Sequence, residues 1–204
     1  MGAITSAFPF LKFMDLANLL TTINVGLSIS SIYLAYTDNI YLSSIALCSA
    51  AVLDFLDGYI ARTWLTEKKQ NREFGKQLDS LADLLNFSVA PALIIFHIIP
   101  GWASFASGMM LLLSGCLRLS LFSVISGSHP GSYRGLPTTY AGVIYSLFFQ
   151  LVAYNKVALS YLIWLNLFIA LIQIINVRIP KYAALPTISV FLILFVAVRI
   201  FISQ

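Results

Sequence analysis

Apolar stretches of membrane-spanning length follow one another along almost the whole chain, near 16–37, 41–64, 77–99, 102–125, 137–154, 157–177 and 183–203. Each holds about 20 residues, which is what a helix rising ~1.5 Å per residue needs to cross ~30 Å of hydrocarbon. Within lipid every backbone N–H and C=O must be satisfied internally, so such segments are predicted to be helices. A chain that is 59% apolar and only 10% charged is not a soluble globule. The expectation is an all-α integral membrane protein made of one membrane domain, with little chain left for a soluble one. Pro186 and Arg199 interrupt the seventh stretch, and no internal repeat or low-complexity tract is visible.

The basic residues set the predicted orientation. With the N-terminus inside, Lys12, Arg62, Lys68, Lys69, Arg72, Lys76, Arg134, Arg178 and Lys181 fall in or beside cytoplasmic loops, while Lys156 and Arg199 fall toward the other face. The same belt would attract anionic headgroups, with Lys68, Lys69 and Arg72 read as a lipid-facing surface. The net charge of +4 is therefore a membrane feature and points to no nucleic acid. Cys48 and Cys116 read as small packing residues, and His97 and His129 lack zinc spacing. Residues 1–15 lack the basic start and cleavage site of a signal peptide. With Phe8, Pro9, Phe10, Lys12 and Phe13 they read as an interfacial segment. Pro100-Gly101-Trp102 and Asn155-Lys156 read as outer turns, with Trp102 and Tyr154 as interface anchors.

Against this apolar background, six of the eight acidic residues lie within thirty positions, and four of them, Asp54, Asp57, Asp79 and Asp83, fall inside two of the apolar stretches. Spacings of i,i+3 and i,i+4 put each pair on one face of its helix. Counted from Arg62 and from Lys76 at ~1.5 Å per residue, all four fall within roughly 5–12 Å of the same end of their antiparallel spans. Carboxylates persist in a membrane mainly where they face a polar cavity, a metal or a partner. Two helices presenting two carboxylates each to one space suit a dinuclear site for hard divalent cations. A buried Asp57–Arg62 ion pair is the structural alternative, and a divalent-cation transporter is the functional one. Transporters, however, place their sites near the midplane between repeats.

The full pattern, Asp54-x2-Asp57-Gly58-x2-Ala61-Arg62 followed by Gly75-x3-Asp79-x3-Asp83, resembles the signature of the CDP-alcohol phosphotransferases. The resemblance covers roughly residues 16 to 182. It implies a six-helix core over 16–182, with 183–204 as an additional C-terminal transmembrane helix. It implies two Mg²⁺ or Mn²⁺ ions per site held by Asp54, Asp57, Asp79 and Asp83, with Asp83 also the general base. Asn18, Thr21, Gly58, Ala61, Arg62 and Gly75 are the implied nucleotide and donor contacts. Asn18-Leu19-Leu20-Thr21 looks like the family's entry to the nucleotide site, although Ala17 stands where proline is common. A homodimer is expected on the same ground.

Several stretches are similar to the phosphatidylserine synthase branch of that family. They are the run from Leu78 to Ala92, containing Asp79-Ser80-Leu81-Ala82-Asp83, together with Ser114 to Leu119, Gly135-Leu136-Pro137 and Asn176 to Lys181. The implied substrates are CDP-diacylglycerol and L-serine, with Ser80, Arg118 and Arg134 as candidate contacts to the lipid phosphate or serine. Glycerol 3-phosphate, an inositol phosphate or an archaeal ether-lipid donor remain alternatives. Three departures bear on acceptor identity. Twelve residues separate Arg62 from Gly75, which reads as a longer loop over the nucleotide site. Ser120 and the pair Thr138-Thr139 stand where the branch usually has small apolar residues.

Overall fold

The computed structural model describes residues 7–63, 69–125, 132–180 and 184–203. A 3₁₀ turn, Pro9–Phe13, leads into α1 (Leu16–Tyr36) and α2 (Ile40–Thr63). The third helix, α3, runs without a break through Lys69–Leu84, a π turn at Leu85–Val89 and Ala90–Ile98. Then come α4 (Trp102–Ile125), β1 (Ser132–Arg134), α5 (Thr138–Ala153), α6 (Ser160–Ile174), β2 (Arg178–Pro180) and α7 (Ala184–Ser203). The protein is thus an all-α integral membrane protein with one three-residue ribbon. Helices α1 and α2 pack lengthwise, α5 lies on α2, α6 on α4, and α7 on α2 and α5.

The distribution of polarity is that of a membrane bundle. Large apolar side chains such as Ile29, Met110, Leu113, Leu117 and Ile193 face outward. Asn24, Ser31, Asn86, Gln150 and Asn166 are wholly buried. Where lipid offers no hydrophobic drive between helices, small residues and interhelical hydrogen bonds hold them together. The Tyr145 hydroxyl donates to Asn166 Oδ1 at 2.8 Å, and Asn166 Nδ2 donates to Ser107 Oγ at 3.2 Å, tying α5, α6 and α4. Ser114 Oγ donates to Gln173 Oε1 at 3.0 Å, a second tie between α4 and α6.

Two local features aim the site-bearing ends. Pro91 has no N–H to give the helix, and the ladder widens just before it into the π turn, where Ala90 N–H reaches back to Leu85 O. The π turn buries Phe87 and Ser88, whose side chains lie where glycines leave room, Phe87 against Gly142 and Ser88 against Gly115. The second feature is the antiparallel ribbon, with Ser132 opposite Pro180, Tyr133 opposite Ile179 and Arg134 opposite Arg178. It continues as Gly135 N–H to Val177 O at 2.8 Å and Leu136 N–H to Ile172 O at 3.3 Å. Gly135 sits at φ +70 against the Gln173 carbonyl, a place open only to glycine. The ribbon pins the start of α5 to the end of α6.

The structure corrects two expectations and adds two features. Helix α3 begins at Lys69, before the expected 77, so 69–74 extend a helix and are not loop. Hydropathy missed this because Lys, Gln, Arg and Glu are good helix formers without being apolar. Helices α5 and α6, at 16 and 15 residues, are shorter than the predicted spans. Apolar Val157 and Leu159 extended the second beyond its real start, and Asn155 at φ 56 closes the first. The seventh helix is continuous. Pro186 lies in its first turn, where no N–H is required, and Arg199 lies over the rings of Tyr41 and Tyr154 at 4.9 and 4.8 Å. Finally, the ribbon has no counterpart in the hydropathy pattern, which marks only the helices it joins. Most of the Ser126–Gly135 connection, at 126–131, lies outside the described residues.

Glycine substitutions should separate packing from mere helix propensity. Gly142→Ala would push a methyl into the Phe87 ring and should cost about 1–3 kcal/mol. Gly26→Ala meets nothing within 4 Å and should be neutral or stabilise by up to ~1 kcal/mol. Thermal unfolding in detergent should show a lower midpoint for the first and not for the second.

Candidate active site

The carboxylates converge as their spacing requires. Helix α2 presents Asp54 and Asp57, α3 presents Asp79 and Asp83, and one oxygen each from Asp54, Asp57 and Asp79 lies within 4.8 Å of the others. Asp83 joins the group beside Asp54. Asp57 is buried and the other three are half-buried. Two carboxylates at such a distance repel by roughly 3 kcal/mol at an effective dielectric of about 20. The cluster is therefore costly unless a cation answers it.

Hydroxyl groups hold the carboxylates in place. Thr21 Oγ1 donates to Asp57 Oδ2 at 2.6 Å, Thr139 Oγ1 to Asp54 Oδ2 at 2.6 Å, and Thr138 Oγ1 to Asp83 Oδ2 at 2.8 Å. The remaining oxygens of Asp54 and Asp83, both Oδ1, are buried and accept no hydrogen bond from the protein. Hard oxygen donors left over on clustered carboxylates fit a divalent cation of the Mg²⁺ or Mn²⁺ kind. Asp54, Asp57 and Asp79 could hold one.

Above this cluster opens a cleft of about 410 Å³ between the ends of α1, α2 and α3. Its lining includes Asn18, Thr21, Gly58, Ala61, Arg62 and Gly75, the six residues picked out in the sequence as nucleotide contacts, together with Asp57 and Asp79. Ala17, Arg72 and Lys76 complete it. Asn18 is fixed by the helix start. Its N–H donates to Asp15 Oδ1 at 2.9 Å, an N-cap, and its Nδ2 donates to the Phe13 carbonyl at 2.6 Å and Asp15 Oδ2 at 3.2 Å. Asn18 Oδ1 then faces Gly75, where any Cβ would come to 2.9 Å. The Arg62 guanidinium lies over Gly58, 3.4 Å from the position a Cβ would take. Phe13 stacks on Phe74, ring centroids 5.1 Å apart, tying the 3₁₀ turn to the start of α3.

The remaining candidates lie elsewhere. Ser80 does not line the cleft, and its hydroxyl donates to the Lys76 carbonyl of its own helix at 2.9 Å. Arg118 is buried, and its Nη1 donates to Thr138 Oγ1 at 3.2 Å, so it reaches Asp83 through that hydroxyl. The Arg134 backbone pairs in β1, and its side chain lies outside the described residues. Arg72 and Lys76 were missed as cleft residues. The signal was there in Arg72, Lys76, Asp79 and Asp83, whose three- and four-residue steps mark one face of a helix that starts before its apolar part. No local signal pointed to Thr138 and Thr139, which sit 55 and 85 residues from the carboxylates they hold.

Residues 14–175 match the model of the CDP-alcohol phosphatidyltransferase family. Archaetidylserine synthase from Methanothermobacter thermautotrophicus is 29% identical, the match covering 83% of this chain and 71% of that protein. CDP-diacylglycerol–serine O-phosphatidyltransferase from Methanocaldococcus jannaschii is 30% identical over 86% of this chain and 78% of its own length. The enzyme of that name from Helicobacter pylori is 29% identical over 91% and 79%.

A cation site built on like-charge repulsion has a two-sided signature. Without metal, Asp79→Asn should raise the unfolding midpoint, because it removes one of the repelling charges. Mn²⁺ at about 100 times its dissociation constant should stabilise the unaltered protein by ~2.7 kcal/mol, at about 2–4 °C per kcal/mol. The variant should lose that rise. Thermal unfolding with and without Mn²⁺ reads both effects.

Proposed function

The chain belongs to the CDP-alcohol phosphatidyltransferase family, and from that footing we propose that it transfers a phosphatidyl group from CDP-diacylglycerol to the hydroxyl of L-serine, releasing CMP and forming phosphatidylserine. One observation carries the reading. A single cleft sets Arg62, Arg72 and Lys76 beside Asp57 and Asp79, cations and metal-ligating anions together, as a nucleoside diphosphate with its counter-ions requires. Serine as acceptor is supported by the names of the three relatives above, which share it while differing in the lipid.

In this reading two Mg²⁺ or Mn²⁺ ions, held by Asp54, Asp57, Asp79 and Asp83, supply charge neutralisation for the diphosphate and the departing CMP. The protein's own groups do the positioning. Arg62, with Arg72 and Lys76, grips the phosphates, and Gly58 and Gly75 let the nucleotide approach the backbone. Asn18 Oδ1, held outward by the helix cap, offers an acceptor to the base. Asp83 takes the proton from the serine hydroxyl as that oxygen attacks the lipid-bearing phosphorus. Arg118 and Arg134 are assigned to the lipid phosphate or the serine carboxylate. Phosphoryl transfer of this kind is achieved by orientation and charge stabilisation.

The positive-inside bias supports a cytoplasmic active site and an inside N-terminus. Residues 1–15, with Phe8, Phe10 and Leu11 exposed around Lys12, are assigned to the membrane surface. Residues 16–182 form the transferase domain, and 183–204 add a transmembrane helix. Family resemblance supports a homodimer.

Purified protein given CDP-diacylglycerol and Mn²⁺ should release CMP only when L-serine is added, and chelation should stop it. Release with glycerol 3-phosphate or an inositol phosphate instead would overturn the acceptor, and response only to an ether-linked donor would overturn the lipid. Asp83→Ala should lower turnover by about 10²–10⁴-fold with donor affinity retained. A variant whose turnover stayed within a few-fold of the unaltered protein would refute its role as base.

A further inference from the structure

The first turn of α5 carries two adjacent threonines, and each gives its hydroxyl to a carboxylate on a different helix. Thr138 Oγ1 donates to Asp83 on α3 and Thr139 Oγ1 to Asp54 on α2, at 2.8 and 2.6 Å. Both threonines are buried. In each acceptor the hydroxyl takes Oδ2, and Oδ1 is left buried without a hydrogen bond from the protein.

Their place in the helix explains why these hydroxyls are free to do so. A threonine or serine inside a helix tends to donate to the carbonyl four residues back, as Thr22 does to Asn18 and Ser80 to Lys76. In the first turn after Pro137 no helical carbonyl stands four residues behind, and the hydroxyl turns elsewhere. The Gly135–Pro137 turn and the ribbon then fix where that first turn lies. Thr138 is further constrained. A hydroxyl has one proton, and Arg118 Nη1 donates to its oxygen at 3.2 Å, so the proton is directed to Asp83.

An aspartate carboxylate turns easily about its last torsion, whose wells are broad and two-fold. A single donor on one oxygen fixes the plane and directs the other oxygen. A neutral hydroxyl does this without cancelling the negative charge that a cation needs, which a lysine or arginine in the same place would do. We infer that Thr138 and Thr139 are positioning residues of the cation site, each holding one oxygen of Asp83 or Asp54 so that the other is presented to a divalent ion. The inference rests on the proposed reading of the carboxylate cluster as a metal site.

The test is Mn²⁺ affinity of the full-length protein in detergent, without lipid substrate, by electron paramagnetic resonance of free Mn²⁺. Thr138→Val and Thr139→Val keep the shape and remove the donor, and each should raise the Mn²⁺ dissociation constant by about 10-fold or more. Thr138→Ser and Thr139→Ser keep the donor and should stay within about 3-fold of the unaltered protein by the same reasoning. Size-exclusion elution and the unfolding midpoint check folding, and alanine replaces any valine the bundle refuses. Valine variants that bind Mn²⁺ as well as the unaltered protein would overturn the inference alone. So would serine variants that lose as much affinity as valine, because that pattern belongs to packing. If the unaltered protein binds no Mn²⁺, the metal reading falls and the inference with it.

Discussion

Everything near the open end of this bundle answers to one cost, the crowding of four carboxylates at the edge of a membrane interior. Their mutual repulsion favours separating α2 and α3, and no hydrophobic force in lipid pulls the helices back together. The bundle resists in two ways. It surrounds the acids with neutral hydroxyl donors, Thr21, Thr138 and Thr139, which fix the carboxylates without discharging them. It also packs the deeper part of α3 against α4 and α5 through small residues, with Gly142 receiving the Phe87 ring and Gly115 receiving Ser88. The charge left over is available for cations, and the neighbouring Arg62, Arg72 and Lys76 for phosphate.

The parts that hold the site come from far along the chain. The ribbon of 132–134 with 178–180 ties the start of α5 to the exit from α6, and so sets the first turn of α5 against Asp54 and Asp83. Arg118 enters from α4 through Thr138. The π turn before Pro91 lets α3 continue as one helix with Asp79 and Asp83 on the site side and Phe87 in the core. These devices are local departures from ideal helix geometry, and several of them lie next to the carboxylates.

What could be read from the sequence was what a single helix encodes. Asp54 with Asp57, and Asp79 with Asp83, lie one turn apart, so period alone put them on common faces and hydropathy put them at common depth. The glycines and Arg62 share those faces and came with them. Arg72 and Lys76 obey the same period but lie where apolarity has ended, and a reading that equated helix with apolar run took Arg72 for a lipid-facing surface and Lys76 for the edge of a loop. Thr138 and Thr139 registered only as departures from a resemblance, because a hydrogen bond across 85 residues leaves no mark in local spacing. Short α5 and α6 were overestimated for the opposite reason, since apolar residues continue past the helix ends. Arg199 in α7 meets the rings of Tyr41 and Tyr154 from distant parts of the chain, which composition cannot reveal.

The proposed task of these four carboxylates is to hold divalent cations against a cytidine diphosphate in the cleft above them. Crystals grown with Mn²⁺ and a CDP-linked lipid, measured at the manganese absorption edge, address it directly. Anomalous peaks are expected between α2 and α3, ligated by Asp54, Asp57, Asp79 and Asp83, with the diphosphate beside Arg62. Peaks elsewhere, or a nucleotide bound with no manganese at these aspartates, would contradict it.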